Sequence, residues 1–288
     1  MKVLRRIPFG LLCLLFTALT VAAQDTFSCP TIVETALLAT SNACAETGRN
    51  QACYGNLTLQ AQAQADAADF KFDTTGDRVD IAAIQTLQLS SLSLTDNTWG
   101  VALMKIQANL PDTLPGQNVT LLMFGNVNID NAVELLTTLS MTAGQNANVR
   151  ARPTTQGIVL ASLTRGTDVT ANGRLADGSW IRIQLPDDNQ SVGWVSVQLL
   201  QSEGNVETLS AVEASTQVFG PMQSFYFTSS TGDAACTEAP ESGILIQSPG
   251  AGQVNLVVNG AEVTLGSTAY FQAQVDGYMT VSVVEGSV

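Results

Sequence analysis

The residues best equipped for recognition chemistry lie in one short stretch, ANVRARPTT, from Ala147 to Thr155. Arg150 and Arg152 stand two apart, and period two places both on the same face of an extended strand. A guanidinium presents a planar fork of N–H donors that matches a carboxylate two bonds at a time. Trp180 and Trp194 follow in the same segment. Each offers a large apolar ring and one N–H donor, so each either packs in a core or contacts a ligand. The arginines admit two readings as well. In the bland one, Arg150 lays its stem over apolar surface and pairs with a carboxylate such as Asp177 or Asp187. In the sharper one, Arg150 and Arg152, with Arg174 or Arg182, form an anion-receptive patch. Its target is a carboxylate on an external polymer or on the chain's own acidic flanks.

Catalytic chemistry is poorly supplied. The sequence contains no histidine, which removes Ser-His-Asp and Cys-His machinery and the usual zinc ligand sets. Beyond residue 23 the lysines are Lys71 and Lys105, and neither sits beside a serine motif. Carboxylates in residues 24–144 are what remains for an enzyme. Asp73, Asp77 and Asp80 in FDTTGDRVD offer oxygen ligands of the kind calcium takes. Their spacing is not the EF-hand series and Arg78 sits among them, so a solvated turn is the preferred reading. Asn126, Asn128 and Asp130 form a weaker set. Phosphate-loop and dinucleotide fingerprints are absent. No catalytic residue, cofactor or metal is assigned.

The first residues indicate export. Lys2, Arg5 and Arg6 precede the apolar run LLCLLFTALT and then Val21-Ala22-Ala23. This is the signal-peptide pattern, cleaved after Ala23. The apolar run is shorter than the roughly 20 residues a spanning helix needs. Cys13 leaves with the signal, and Cys29, Cys44, Cys53 and Cys236 remain. An even number in an exported chain implies two disulfides, with three pairings open. Cys44–Cys53 with Cys29–Cys236 is the preferred set, one short loop and one tie between the chain ends. Without a CxxC pair, a zinc site is the weaker reading.

Charge divides the rest of the chain. Residues 145–202 hold five arginines and four aspartates, whereas residues 203–288 hold no lysine or arginine at all. Residues 24–144 are also strongly acidic. Nucleic acid and anionic membranes both need a basic footprint and are excluded as partners. No later stretch is long and apolar enough to span a bilayer.

Periodicity places these residues on a mainly β chain. After Pro30, the residues Ile32, Val33, Ala36, Leu37 and Leu38 predict a helix that Thr40-Ser41-Asn42 interrupts. LTLQAQAQA, IAAIQTLQL, WGVALMKIQANL and NVTLLMFGN read as strands, with LPDTLPGQ as the loop of a hairpin. Residues 24–135 are therefore expected to form an N-terminal, mostly β domain with a short helical cap. Residues 127–144 read as a short helix or linker, with the linker at 136–144. Residues 145–202 show short strands and Gly/Asp turns at the spacing of a small barrel. In residues 203–288, QSFYFTSS, ILIQS, QVNLVVNGAEVTLGS, AYFQAQV and MTVSVVEG predict a C-terminal antiparallel β domain. Asn259-Gly260 marks its hairpin. The chain stops at Val288 inside a strand pattern, which fits either an edge strand or a fragment of something longer.

Two resemblances follow. Asn148-Val149-Arg150 with Pro153, then Leu163, Gly166 and Val169, Trp180 with Ile183, and Gly193-Trp194-Val195 occur in the order of a bacterial SH3 (SH3b) domain. The segment resembles that family over residues 145–202, with PDDNQS as an enlarged acidic turn. The resemblance implies a small SH3-like barrel that binds and does not catalyse. In exported bacterial proteins such modules often attach a neighbour to cell-wall peptide or another surface polymer. The end of the chain, about 243–288, is similar to the repeating β pattern of FecR-type periplasmic domains. Only the strand arrangement carries over, because no membrane helix follows residue 23.

The expected function is non-catalytic attachment. An exported scaffold would be held to an envelope polymer, or to another exported protein, by its SH3b module. A sensory or accessory segment of a larger envelope protein is the alternative. A carboxylate enzyme in residues 24–144 is the third reading.

Overall fold

The computed structural model describes residues 28–288, apart from 66, 68, 108–116, 134–135, 187, 217, 233–235 and 250–252. The expected signal segment 1–23, most of the LPDTLPGQ loop and Asp187 lie outside the described residues. No helix among them is long and apolar enough to cross a membrane.

The chain opens with helix α1 (Cys29–Ala43). Pro30 sits at its start, where the fixed φ suits a helix and no N–H is missed. Cys29, Ile32, Val33, Ala36 and Thr40 form its buried face. The expected interruption at Thr40 does not occur, because the Thr40 hydroxyl donates to the Ala36 carbonyl (2.9 Å) and stays inside the helix. Leu37 and Leu38 were expected on the apolar face. Both are exposed, since a turn of about 100° per residue carries them past the buried stripe.

Seven strands follow: β1 (Gln51–Asn56), β2 (Leu59–Ala63), β3 (Arg78–Asp80), β4 (Ile84–Leu89), β5 (Val101–Gln107), β6 (Asn118–Phe124) and β7 (Val127–Asn131). The next seven build the middle segment: β8 (Leu139–Ala143), β9 (Ala147–Arg150), β10 (Val159–Leu163), β11 (Asp168–Arg174), β12 (Trp180–Leu185), β13 (Asp188–Ser196) and β14 (Leu200–Gln201). Six more complete the chain: β15 (Ser224–Ser229), β16 (Gly243–Gln247), β17 (Val254–Val258), β18 (Ala261–Leu265), β19 (Thr268–Ala273) and β20 (Met279–Glu285). The fold is mainly β, as expected.

The two flanks do not form separate sheets. One seven-stranded sheet runs β20-β19-β16-β6-β5-β1-β3, and a six-stranded sheet runs β18-β17-β15-β7-β4-β2. Each joins strands from both ends of the chain. The joints are antiparallel: Leu121 faces Ile246 between β6 and β16, and Ile129 faces Phe227 between β7 and β15. The reading of two units on either side of the middle segment gives way to one interleaved sandwich. Its physical reason is edge burial. Alone, either half would present β6 and β7, or β16 and β15, as unpaired edges.

One core fills the space between the sheets. Leu87, Met104, Leu121 and Ile129 pack with Phe225, Phe227, Ile244 and Phe271. Burying each such side chain stabilises by about 1.5–3 kcal/mol. The C-terminal strands also include one parallel pair, β15 with β17, so the expected all-antiparallel pattern holds only in part. Asn259 (φ 52°) and Gly260 (φ 77°) form the predicted tight hairpin between β17 and β18.

Helix α1 caps the outer side of the larger sheet, with Ile32, Val33 and Ala36 clustered against Trp99, Val101 and Phe124. Two disulfides fasten it. Cys44 bonds Cys53, and Cys29 bonds Cys236, 207 positions away. By chain entropy alone, so long a loop is worth about 5 kcal/mol and the short one about 3.

The middle segment leaves and re-enters this sandwich at adjacent points, because the Ala132 amide donates to the Ser224 carbonyl (2.9 Å). Its strands form one seven-stranded sheet, β10-β9-β13-β12-β11-β8-β14. No closed barrel forms, unlike the barrel the sequence implied. Inward side chains from all seven strands nevertheless share one cluster, including Met141, Val149, Leu163, Val169, Ile181, Val195 and Leu200. The expected linker 136–144 is largely strand β8, paired with β11 and β14. A buried amide joins this sheet to the sandwich: Gln107 Nε2 donates to the Ser191 hydroxyl, and within the sandwich Gln223 Nε2 donates to the Gln107 carbonyl and holds that residue in place.

Candidate functional site

Strand β9 runs between β10 and β13 and delivers Arg150 to its end, opposite Val159 on one side and Trp194 on the other. The approach to β13 is close because residue 193 is glycine. A Cβ there would lie 2.4 Å from Val149 Cγ1 and 3.3 Å from the Arg150 carbonyl. Arg150 Nη1 donates to the Gly157 carbonyl (2.7 Å), which pins the guanidinium against the loop between β9 and β10.

Trp180 opens β12. The Leu175 amide bonds the Trp180 carbonyl (3.0 Å), with Gly178 at φ 70° inside the turn. The Asp177 carboxylate accepts from the Ser179 amide (2.9 Å) and hydroxyl (2.7 Å). Those two bonds lower its pKa from the ordinary aspartate range. Asp177 is therefore occupied by its own turn rather than by Arg150.

Arg150 and Trp180 meet in an open groove of about 420 Å³. Asn146 and Asn148 line it with amides, and Thr155, Ser162, Thr164 and Ser196 with hydroxyls; Ala147, Leu163 and Leu199 supply the apolar part. Among the described residues, the lining contains one cation and no carboxylate. Such a surface offers a cation at Arg150, a ring at Trp180, and amide and hydroxyl donors and acceptors between them.

The other expected site residues lie elsewhere. Arg152 is exposed and does not line the groove. The strand ends at Arg150, so alternation no longer governs residue 152. Pro153 follows, and Gly157 folds back so closely that a Cβ on it would lie 2.9 Å from the Arg152 carbonyl. Trp194 is only 3 % exposed. Its neighbour Val195 faces the core cluster, so Trp194 lies on the other face, the one that carries Arg150 and Trp180, but it is buried there and does not line the groove.

The remaining arginines of the proposed patch are also engaged. Arg174 forms an ion pair with Glu207. Arg182 is 2 % exposed; its Nε and Nη2 donate to the Asn172 side chain (2.9 Å) and carbonyl (3.2 Å), and Nη1 has no hydrogen-bond partner among the described residues. Burial pulls its pKa down to about 10. Asn146, Asn148 and Thr155 were not singled out as ligand contacts, because polar residues beside a turn look alike in sequence whether or not they share a groove.

The oxygen-rich cluster of the N-terminal half is structural. Asp77 accepts from the Asp73 (3.1 Å) and Thr74 (2.9 Å) amides, and Asp80 caps a short 3-10 turn through the Ala82 amide (2.8 Å). Burial alone would raise Asp77, but those amides, the Thr74 hydroxyl and the charge of Lys71 outweigh it and hold the carboxyl at about 2. Among the described residues, the one group of metal-ligand type is Cys29, Cys236 and Glu238, whose two sulfurs are bonded to each other.

Residues 145–201 match the family model of the bacterial SH3 domain. No curated protein and no solved structure matches the chain. The match begins after β8, so the paired strand Leu139–Ala143 lies outside the matched segment.

Proposed function

We propose that this chain is an exported, non-catalytic binding protein. Its SH3b module would hold it to a cell-envelope polymer through the Arg150–Trp180 groove. The observation that carries this reading is the convergence of one partly buried guanidinium and one half-exposed indole in a groove whose described lining holds no carboxylate. Among the described residues Arg150 has one hydrogen-bond partner, the Gly157 carbonyl, and a guanidinium carries five N–H donors with which to meet a ligand. A carboxylate on a wall peptide fits the arginine, and the flanking amides and hydroxyls fit the peptide backbone. Two disulfides suit an oxidising, extracytoplasmic compartment. The buried Gln107–Ser191 bond ties the module to the sandwich, so wall attachment would fix the sandwich as well.

The test is co-sedimentation with purified cell-wall sacculi. The protein is expected to pellet with them, and high salt should weaken the association. Arg150→Ala and Trp180→Ala should each weaken it; loss of a charge-assisted bond costs about 1.5–3 kcal/mol, roughly tenfold or more in affinity. No pelleting at low salt, or pelleting indifferent to both substitutions, would overturn the assignment.

A further inference from the structure

The six-stranded sheet has a second face, turned away from the core. Alternation decides which residues form it. Leu87 and Leu89, Val127 and Ile129, and Phe225 and Phe227 point inward into the core cluster. Their neighbours therefore point outward. The strand registers align those neighbours in two rows across the sheet. Gln60 faces Gln88, Gln88 faces Asn128, and Asn128 faces Thr228. Beside it, Gln62 faces Thr86, Thr86 faces Asp130, and Asp130 faces Tyr226.

Each row spans four strands, roughly 14 Å at the usual spacing between strands, and the rows lie about 7 Å apart along them. Gln60, Gln62 and Gln88 are exposed, and Asn128, Asp130 and Thr228 are half-buried, as expected in the middle of an open sheet face. Tyr226 is 55 % exposed although its strand is central. Its hydroxyl reaches within 3.9 Å of where a side chain on Gly260 would begin, so the ring leans towards the β17–β18 hairpin.

We propose that this face is a second binding site and that its ligand is a neutral, extended oligosaccharide. Amides and hydroxyls both donate and accept hydrogen bonds. Two rows of them complement sugar hydroxyls, which do the same. An exposed tyrosine ring gives the apolar C–H face of a pyranose a flat surface to rest on, with its electron-rich face towards the C–H groups. Asn128 Nδ2 donates to Asp130 Oδ2 (3.1 Å), which orients the carboxylate and leaves its other oxygen to accept from a hydroxyl.

Charge selects the occupant. The six strands of this sheet carry two charged residues, Asp130 and Glu262, both acidic. Such a face repels phosphate and carboxylate polymers and lacks the cations that hold nucleic acid. It also lacks the contiguous apolar area by which a protein partner would be held. An uncharged polymer rich in hydroxyls is what remains. The site is separate from the Arg150–Trp180 groove and does not depend on it.

Isothermal titration calorimetry of residues 24–288 with cellohexaose and chitohexaose tests the proposal. At least one hexasaccharide is expected to bind, with affinity unchanged between low and high salt. Tyr226→Ala should weaken it roughly tenfold or more, equivalent to about 1.4 kcal/mol or more. Tyr226→Phe keeps the ring and should retain most of the affinity, and Gln88→Ala should also weaken binding. Arg150→Ala should leave it unchanged. Binding of neither sugar overturns the proposal, as does binding that survives Tyr226→Ala. Binding abolished by Arg150→Ala would move the sugar to the groove and equally overturn it.

Discussion

Phe227→Ala separates a single interleaved sandwich from two independent flanks. Phe227 is 2 % exposed, lies in β15 opposite Ile129 of β7, and packs against Phe225 with ring centroids 6.1 Å apart. Removing a buried phenylalanine ring costs about 3–5 kcal/mol. If both chain ends form one cooperative unit, that loss appears in amides far from the mutation. Hydrogen–deuterium exchange of β1 and β5 peptides, read by mass spectrometry, should then accelerate by roughly a hundredfold to a few thousandfold. Exchange in β15, β16 and β19 should rise by a similar factor. The amides of β12 should keep most of their protection, because that strand packs in a separate cluster. Acceleration confined to β15–β20, with β1 and β5 unchanged, would falsify the shared core.

Two further perturbations test other parts of the structure. Gly193→Ala places a methyl 2.4 Å from Val149 Cγ1. Overpacking of this kind costs about 1–3 kcal/mol, and a differential scanning calorimetry transition for the module that does not fall would contradict the close approach of β9 and β13. Asp77 has a folded pKa of about 2 against 3.8 ordinarily. A depressed carboxylate contributes stability that is present above the ordinary value and lost as pH falls through the folded one. Urea titrations between those two pH values should therefore show a steeper loss in the wild type than in Asp77→Asn. The difference should be small, under about 1 kcal/mol, because the group is largely open to solvent.

Sequence by itself settled the local features. Alternating runs marked β4, β6, β17 and β19 because residues on one face of each strand are buried and those between them are less so. Asn259-Gly260 marked its hairpin because both residues must take positive φ. The SH3b segment was legible from glycines and tryptophans in order, since Gly193 is forced by a close approach. Arg150 and Trp180 were singled out for their side-chain chemistry, before any groove was visible.

Tertiary structure decided what depends on partners distant in sequence. Period two predicted Arg150 and Arg152 on one face, but the strand ends at Arg150 and a turn redirects its successor. Trp180 and Trp194 looked alike; one lines the groove, and the other, though on the same face of the sheet opposite Arg150, is buried. The pairing of β6 with β16 and of β7 with β15 joins residues more than 90 positions apart. Hydrophobic periodicity records which face of a strand is buried, and it carries no record of which strand lies beside it. For that reason the amide rows from Gln60 to Thr228, and the single core they cover, became visible only once the sheets were assembled.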